Sequence, residues 1–306
     1  MTSKMEPTTL LEAVRYYSDL EVCEDLLASI RWPVGPCCER CGSLHVKKLA
    51  TRRVWKCYDC KRQFSVKVGT IMEDSAIGLD KWFVCMWMIA NCKNGISSYE
   101  IHRALGVKQE SAWFMLHRVR HAMQTGSFAK MSGTVEVDET FIGGKEKNKH
   151  VSKSKYKKAG TQGKIAVMGL LQRKGRVSAK VISDVKRKSL HPEVVNAVEP
   201  GSTVYTDALK SYARLNETFE HDTVDHAREY VRGEVHTNGI ENYWSLLKRS
   251  LKGTYVSVEP FHLDRYLDEQ SFRFNNRKTD DGTRFILALS QVAGRRLTYD
   301  QLVSEG

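Results

Sequence analysis

Two Cys-x2-Cys knuckles, Cys38–Cys41 and Cys57–Cys60, stand fifteen residues apart in a chain of 306 residues. Four thiolates at that spacing close around one tetrahedral Zn²⁺, and a segment this short needs such a metal to hold a fold. Residues 34–70 are therefore expected to form a zinc ribbon with one structural Zn²⁺. Cys37 competes for the first position through Cys37-x3-Cys41; Cys38 is preferred because its two-residue gap repeats the second knuckle. Lys47, Lys48, Arg52, Arg53, Lys56, Lys61 and Arg62 crowd the ribbon, which suits a surface turned toward phosphates.

Cys23, Cys85 and Cys92 sit among apolar neighbours and read as core thiols. That pattern fits a reducing compartment rather than a disulfide scaffold. Forty-eight Lys and Arg against 36 Asp and Glu give a net charge of +12, which favours a polyanionic partner. No apolar run reaches the ~18 residues that span a bilayer. The expected location is cytoplasmic and nucleoid-associated.

Residues 1–33 are predicted helical, with Leu10, Leu11, Val14, Tyr17 and Leu20 on one stripe of a single helix over 9–30. After Cys60, residues 63–68 have strand character and Gly69 ends them. Asp80 is placed to cap an apolar helix from Lys81 to about Asn94. Residues 78–126 hold a helix-turn-helix segment: Ser97 and Glu100 make a capping box, and Gly106 permits the tight turn into a helix from Gln109. In a DNA-binding arrangement that second helix enters the major groove, making Gln109 and Ser111 candidate contacts. An ordinary helical hairpin is the competing reading.

Between residues 133 and 255 the pattern predicts strands at 135–142, 164–171 and 177–182, a helix at 189–198 and a strand at 203–207. A helix at 208–215, a short strand at 223–225 and a helix bearing Glu241 follow. This is the element order of a ribonuclease-H-like α/β fold. Asp138 lies on the first strand, Asp207 closes the fourth, and Glu241 opens the last helix. Three such acids can converge as hard oxygen ligands for two Mg²⁺ (or Mn²⁺) ions. Asp207 could instead cap the helix after it, and Glu241 could complete a capping box with Asn238. Their joint placement favours the metal reading. Glu139 is expected on the strand face opposite Asp138.

Residues 145–164 hold eight lysines and one acid, Glu146. Such an insertion offers Lys153, Lys155, Lys157 and Lys158 to phosphates, or is simply a solvated loop. Residues 256–306 read as a helical extension.

Several strings carry a resemblance: Cys38-x2-Cys41-Gly42-Ser43, Trp55-x-Cys57-x2-Cys60-x2-Gln63-Phe64, Gly69-Thr70-Ile71-Met72, Val137-Asp138-Glu139-Thr140-Phe141-Ile142-Gly143-Gly144 and Thr206-Asp207. The most specific runs His236-Thr237-Asn238-Gly239-Ile240-Glu241-Asn242-Tyr243-Trp244 and on to Arg249; Phe272-Arg273-Phe274-Asn275-Asn276-Arg277 extends it. Over roughly residues 20–290 the chain resembles bacterial insertion-sequence transposases that join an amino-terminal zinc ribbon to a DDE catalytic domain. The resemblance implies an enzyme that binds its element's terminal repeats, cleaves DNA to expose 3′-hydroxyls and joins them to target DNA by two-metal phosphoryl transfer. By position, Asp138, Asp207 and Glu241 become catalytic acids and magnesium ligands, and Lys248 the basic residue that follows them. Lys248 leaves the helix face that Glu241 leaves, ~10.5 Å farther along, and with Arg249 is expected to meet phosphates. Two DNA ends held at once imply double-stranded DNA and a homodimer or larger assembly as partners. A zinc-ribbon regulator with a decayed catalytic domain and a metal-dependent nuclease without strand transfer are the rival readings.

Overall fold

The computed structural model describes residues 6–49, 51–124, 129–144, 163–207, 209–224 and 235–304. Its elements begin with α1 (Leu10–Tyr16), α2 (Leu20–Arg31), β1 (Val46–Leu49), β2 (Val54–Cys57) and β3 (Gln63–Phe64). Next come α3 (Leu79–Asn91), α4 (Ser98–Leu105), α5 (Gln109–Ala122), β4 (Thr134–Ile142), β5 (Ile165–Gln172) and β6 (Val177–Ile182). The order ends with α6 (Arg187–Ala197), β7 (Thr203–Asp207), β8 (Glu220–Val224), α7 (Asn238–Ser250), α8 (Leu263–Asn275), α9 (Asp281–Leu289) and α10 (Tyr299–Val303). Lys153, Lys155, Lys157 and Lys158 lie outside the described residues. Two units emerge: residues up to 124 together with those from 276 onward, and residues 125–275 between them.

In the first unit, the single helix expected over 9–30 is two. Thr9 and Glu12 form a capping box that starts α1, and Asp19 caps α2 by accepting from the Glu21 N–H. The break turns Tyr17 onto Phe83 of α3 and Phe285 of α9, with ring centroids 5.3 and 5.0 Å away. Leu10, Leu11 and Val14 consequently stay exposed rather than lining a buried stripe. Helix α3 starts after Gly78, so Asp80 falls in its first turn and caps nothing. The Ser97–Glu100 capping box forms, and Gly106 adopts the left-handed conformation (φ +60°) that the turn to α5 requires. The nearly buried Arg118 guanidinium of α5 donates to the carbonyls of Ile71, Glu73 and Leu297 at 2.9–3.0 Å, satisfying a charged group that burial would otherwise penalise.

The ribbon is a three-stranded antiparallel sheet in the order β1-β2-β3. Its third strand is only Gln63–Phe64, because Ser65 and Lys67 carbonyls close turns onto the N–H groups of Val68 and Thr70. Trp32, Trp55 and Phe64 fill its small core.

The second unit is built on one five-stranded sheet in the order β6-β5-β4-β7-β8. Strands β4, β5 and β6 run antiparallel; β7 and β8 lie parallel to β4 and to each other. Helix α6 covers one face over Val135, Val137, Met168, Leu170 and Val204. Helices α7 and α8 cover the other over Val167, Leu171 and Val177. With both faces covered, β5 is buried along nearly its whole length and reads as an apolar run. The edge strand β6 is protected: Asn275 and Asp264 accept from the N–H groups of Val177 and Val181 at 2.7 and 2.9 Å. The helix expected at 208–215 is replaced by two short 3₁₀ turns, Lys210–Tyr212 and Leu215–Glu217, with Arg214 left-handed (φ +76°) between them. Among the described residues no helix is long and apolar enough to cross a membrane.

Candidate functional site

Asp138 and Asp207 reach one level by register. Thr134 pairs with Thr203, and each aspartate lies four residues farther along its strand. Alternation then puts both on the sheet face that α7 covers. That helix is held down by Ile240, Trp244 and Leu247, all nearly fully buried, each contributing on the order of 1.5–3 kcal/mol. Trp244 also reaches the site directly, its indole N–H donating to Asp138 Oδ2 at 3.0 Å. Asp207 accepts from the Leu209 N–H at 3.1 Å, a local turn contact that occupies one of its oxygens.

Glu139 joins them. Carboxylate oxygens of Asp138, Glu139 and Asp207 all lie within 4.8 Å of one another. Glu139 does leave β4 on the other face, where it accepts from the Tyr212 hydroxyl. The β4–β7 ladder, however, is paired only as far as Glu136 and Tyr205. Beyond that point β4 and β7 are no longer hydrogen-bonded to each other, although β7 runs on to Asp207 beside β8, and acids from both faces converge at this opening. Burial, and then the charge of Asp207, push Asp138 up to about 6 and Glu139 up to about 8. Crowded, half-buried carboxylates with raised proton affinity are a hard-oxygen donor set whose mutual repulsion a divalent cation would offset.

Glu241 is exposed in the first turn of α7 and is not part of that close group. Its charge nonetheless contributes to raising Asp138. The capping-box alternative does not form: the helix is capped at Thr237, whose hydroxyl donates to Glu241 Oε1 at 3.1 Å. Lys248, half-buried, and Arg249, exposed, lie in the last turn of α7.

In the ribbon, the Sγ atoms of Cys38, Cys41, Cys57 and Cys60 lie within 4.8 Å of one another, and Cys37 is outside the group. Cys38–Cys60 and Cys41–Cys57 separations are 3.5 and 3.7 Å. Four sulfurs at the usual ~2.3 Å from a tetrahedral zinc stand ~3.8 Å apart, so the donor set fits that ion. Burial pushes the Cys38 thiol up, but backbone N–H groups of Cys41 and Arg40 reverse this and bring it to about 7. The Cys60 N–H lowers Cys57 in the same way. Both effects favour the thiolate that binds metal.

Two bases of the ribbon are engaged by acids of α2. Lys48 pairs with Asp25 and Glu24 at 3.1 and 3.5 Å, and Arg53 with Glu24 at 3.7 Å. In the helical hairpin the Gln109 amide donates to Ser98 Oγ at 2.8 Å, bracing α5 against α4, while Ser111 is half-buried.

Two domain families match the chain: the ISXO2-like transposase domain over residues 130–275 and the transposase zinc-ribbon domain over residues 18–63. A protein of transposable element ISH50 from Halobacterium salinarum is 28% identical over 245 residues, covering 74% of this chain and 81% of that protein. A transposase-like protein of Haemophilus influenzae is 34% identical over 104 residues, covering 34% of this chain and 84% of its own length.

Proposed function

The chain belongs to the ISXO2-like transposases with an amino-terminal zinc ribbon, and we propose that it cuts and joins DNA at a site formed by Asp138, Asp207 and Glu241. The observation that carries this reading is the meeting of Asp138 and Asp207, from parallel strands, beneath the helix that bears Glu241. The strand order, with three antiparallel strands followed by two parallel to the first, supports a ribonuclease-H-like domain. Two Mg²⁺ or Mn²⁺ ions, when bound, supply the positive charge and Lewis acidity that phosphoryl transfer requires.

The chain's own residues supply placement. Asp138 is oriented by the Trp244 indole and Asp207 by its turn, so each carboxylate is held in one orientation within the acidic group. Glu139, an addition to the three expected acids, is steadied by the Tyr212 hydroxyl. Lys248 and Arg249 take phosphates flanking the scissile bond. The ribbon and the α4–α5 hairpin, through Gln109 and Ser111, bind the terminal repeats, with Lys153, Lys155, Lys157 and Lys158 adding phosphate contacts. The working form is a homodimer or larger assembly on the nucleoid.

A duplex carrying the element's own end tests this. With Mg²⁺ the protein should nick it and join pre-cleaved ends to a second duplex. Nicking without joined product would identify a nuclease. Binding without nicking would identify a DNA-binding regulator.

A further inference from the structure

We propose that Glu136 is a positioning residue that sets Glu241 relative to Asp138, an inference that rests on the catalytic roles assigned above. Glu136 lies on the Asp138 face of β4, two residues upstream, and is only 1% exposed. A carboxylate that deep must be met by donors. Its Oε1 accepts from Arg173 Nε at 2.9 Å, and its Oε2 accepts from the Ile240 backbone N–H at 3.0 Å. His236 Nδ1 lies 3.6 Å from Oε1. Arg173 also donates through Nη2 to the His236 carbonyl at 2.9 Å. One side chain thereby gathers β4, the turn after β5, the residues entering α7 and the first turn of α7 itself.

The contact at Ile240 decides the role. Helix α7 receives no side-chain hydrogen bond from its own cap residue, Thr237. Glu136 fills that place from a separate strand, satisfying an otherwise orphan N–H and putting negative charge at the positive end of the helix. Gly239 makes the approach possible, since a Cβ there would stand 2.8 Å from Glu136 Oε2 and 3.1 Å from Leu171 Cδ2. Glu241 follows Ile240 directly. Two struts, Glu136 to Ile240 and Asp138 to Trp244, therefore fix both the height and the roll of the helix on the sheet.

The test is a double-mutant cycle on Mn²⁺ affinity, read by electron paramagnetic resonance on the zinc-loaded full chain without DNA. Glu136→Gln should weaken Mn²⁺ binding about tenfold, as loss of a group that orients a metal ligand does. Glu241→Gln should also weaken it. In the Glu241→Gln background, adding Glu136→Gln should change the Kd by less than about twofold, because coupled sites are not additive. Equal weakening in both backgrounds, or none in the wild-type background, overturns the positioning role and leaves the proposed function standing. An unchanged Kd for Glu241→Gln alone overturns both. Circular dichroism and zinc content check the fold, and if Glu136→Gln does not fold, Gly239→Ala replaces it with the same expected pattern.

Discussion

The Trp244 indole reaches Asp138 across Gly169, the residue paired with Asp138 on the neighbouring strand. A Cβ at position 169 would lie 2.6 Å from Trp244 Cζ2 and 2.8 Å from Ile240 Cδ1. The close seat of α7 on the sheet thus depends on a missing side chain.

Gly169→Ala should overpack that seat, lowering stability by about 1–3 kcal/mol and lifting Trp244 from Asp138. Urea unfolding followed by tryptophan fluorescence measures the first effect. An unchanged midpoint would show that the sheet yields without cost.

Asp138→Asn should reduce end cleavage by roughly three orders of magnitude, the scale of losing one preorganised electrostatic group, while affinity for end DNA stays within about twofold. Removing one of three crowded carboxylates should also raise the melting temperature of the metal-free protein by roughly 2–4 °C, the equivalent of about 1 kcal/mol. Loss of DNA binding in step with cleavage would assign Asp138 a structural role instead.

Divalent-metal affinity should depend on pH in a defined direction. Burial, then Asp207, holds Asp138 at about 6 and Glu139 at about 8 in the metal-free protein. Raised carboxyl pKa values mean the folded state binds these protons more tightly than the unfolded state does. Stability from this source is full below the ordinary carboxyl range near ~4 and is lost as pH rises through about 6 and then about 8. Metal displaces the same protons, so Mn²⁺ affinity should climb over that interval. Titration calorimetry in buffers of different ionisation enthalpy should detect proton release near the lower pKa that fades above the higher one. A flat affinity across the interval would refute the linkage.

Cys38→Ser should lose zinc, whereas Cys37→Ser should retain about one ion per chain, since only Cys38 stands in the sulfur group. Elemental analysis after gel filtration decides between the adjacent cysteines.

Much of this was legible where a local rule and the packing agree. The strands 177–182 and 203–207 match the apolar pattern to the residue, the Ser97–Glu100 cap follows from its side chains, and the left-handed turn at Gly106 follows from the lack of one. Elsewhere distant partners override the pattern. The break after Tyr16 answers to Phe285, from the far end of the chain, so the apolar stripe of 9–30 misleads. Period-two alternation places Glu139 on the face opposite Asp138, as observed, but does not show that acids from both faces can still meet where β4 and β7 have stopped pairing. Glu136 carries only a faint signal, an acid sharing the Asp138 face, and its partners Arg173 and Ile240 become visible only once the sheet is assembled.

The first unit is discontinuous in sequence, and this sets a timetable. Ile71 donates its N–H to the Val292 carbonyl at 3.1 Å, and Gly294 donates to Gly69 at 2.7 Å. Phe285 packs against Tyr17, Phe83 and Trp87. Val292, Gly294 and Phe285 are not made until the ribosome has passed the whole of the second unit. The portion of the protein translated first is therefore the last to close its core, and a nascent or prematurely terminated chain carries the acidic site before it carries a finished amino-terminal unit.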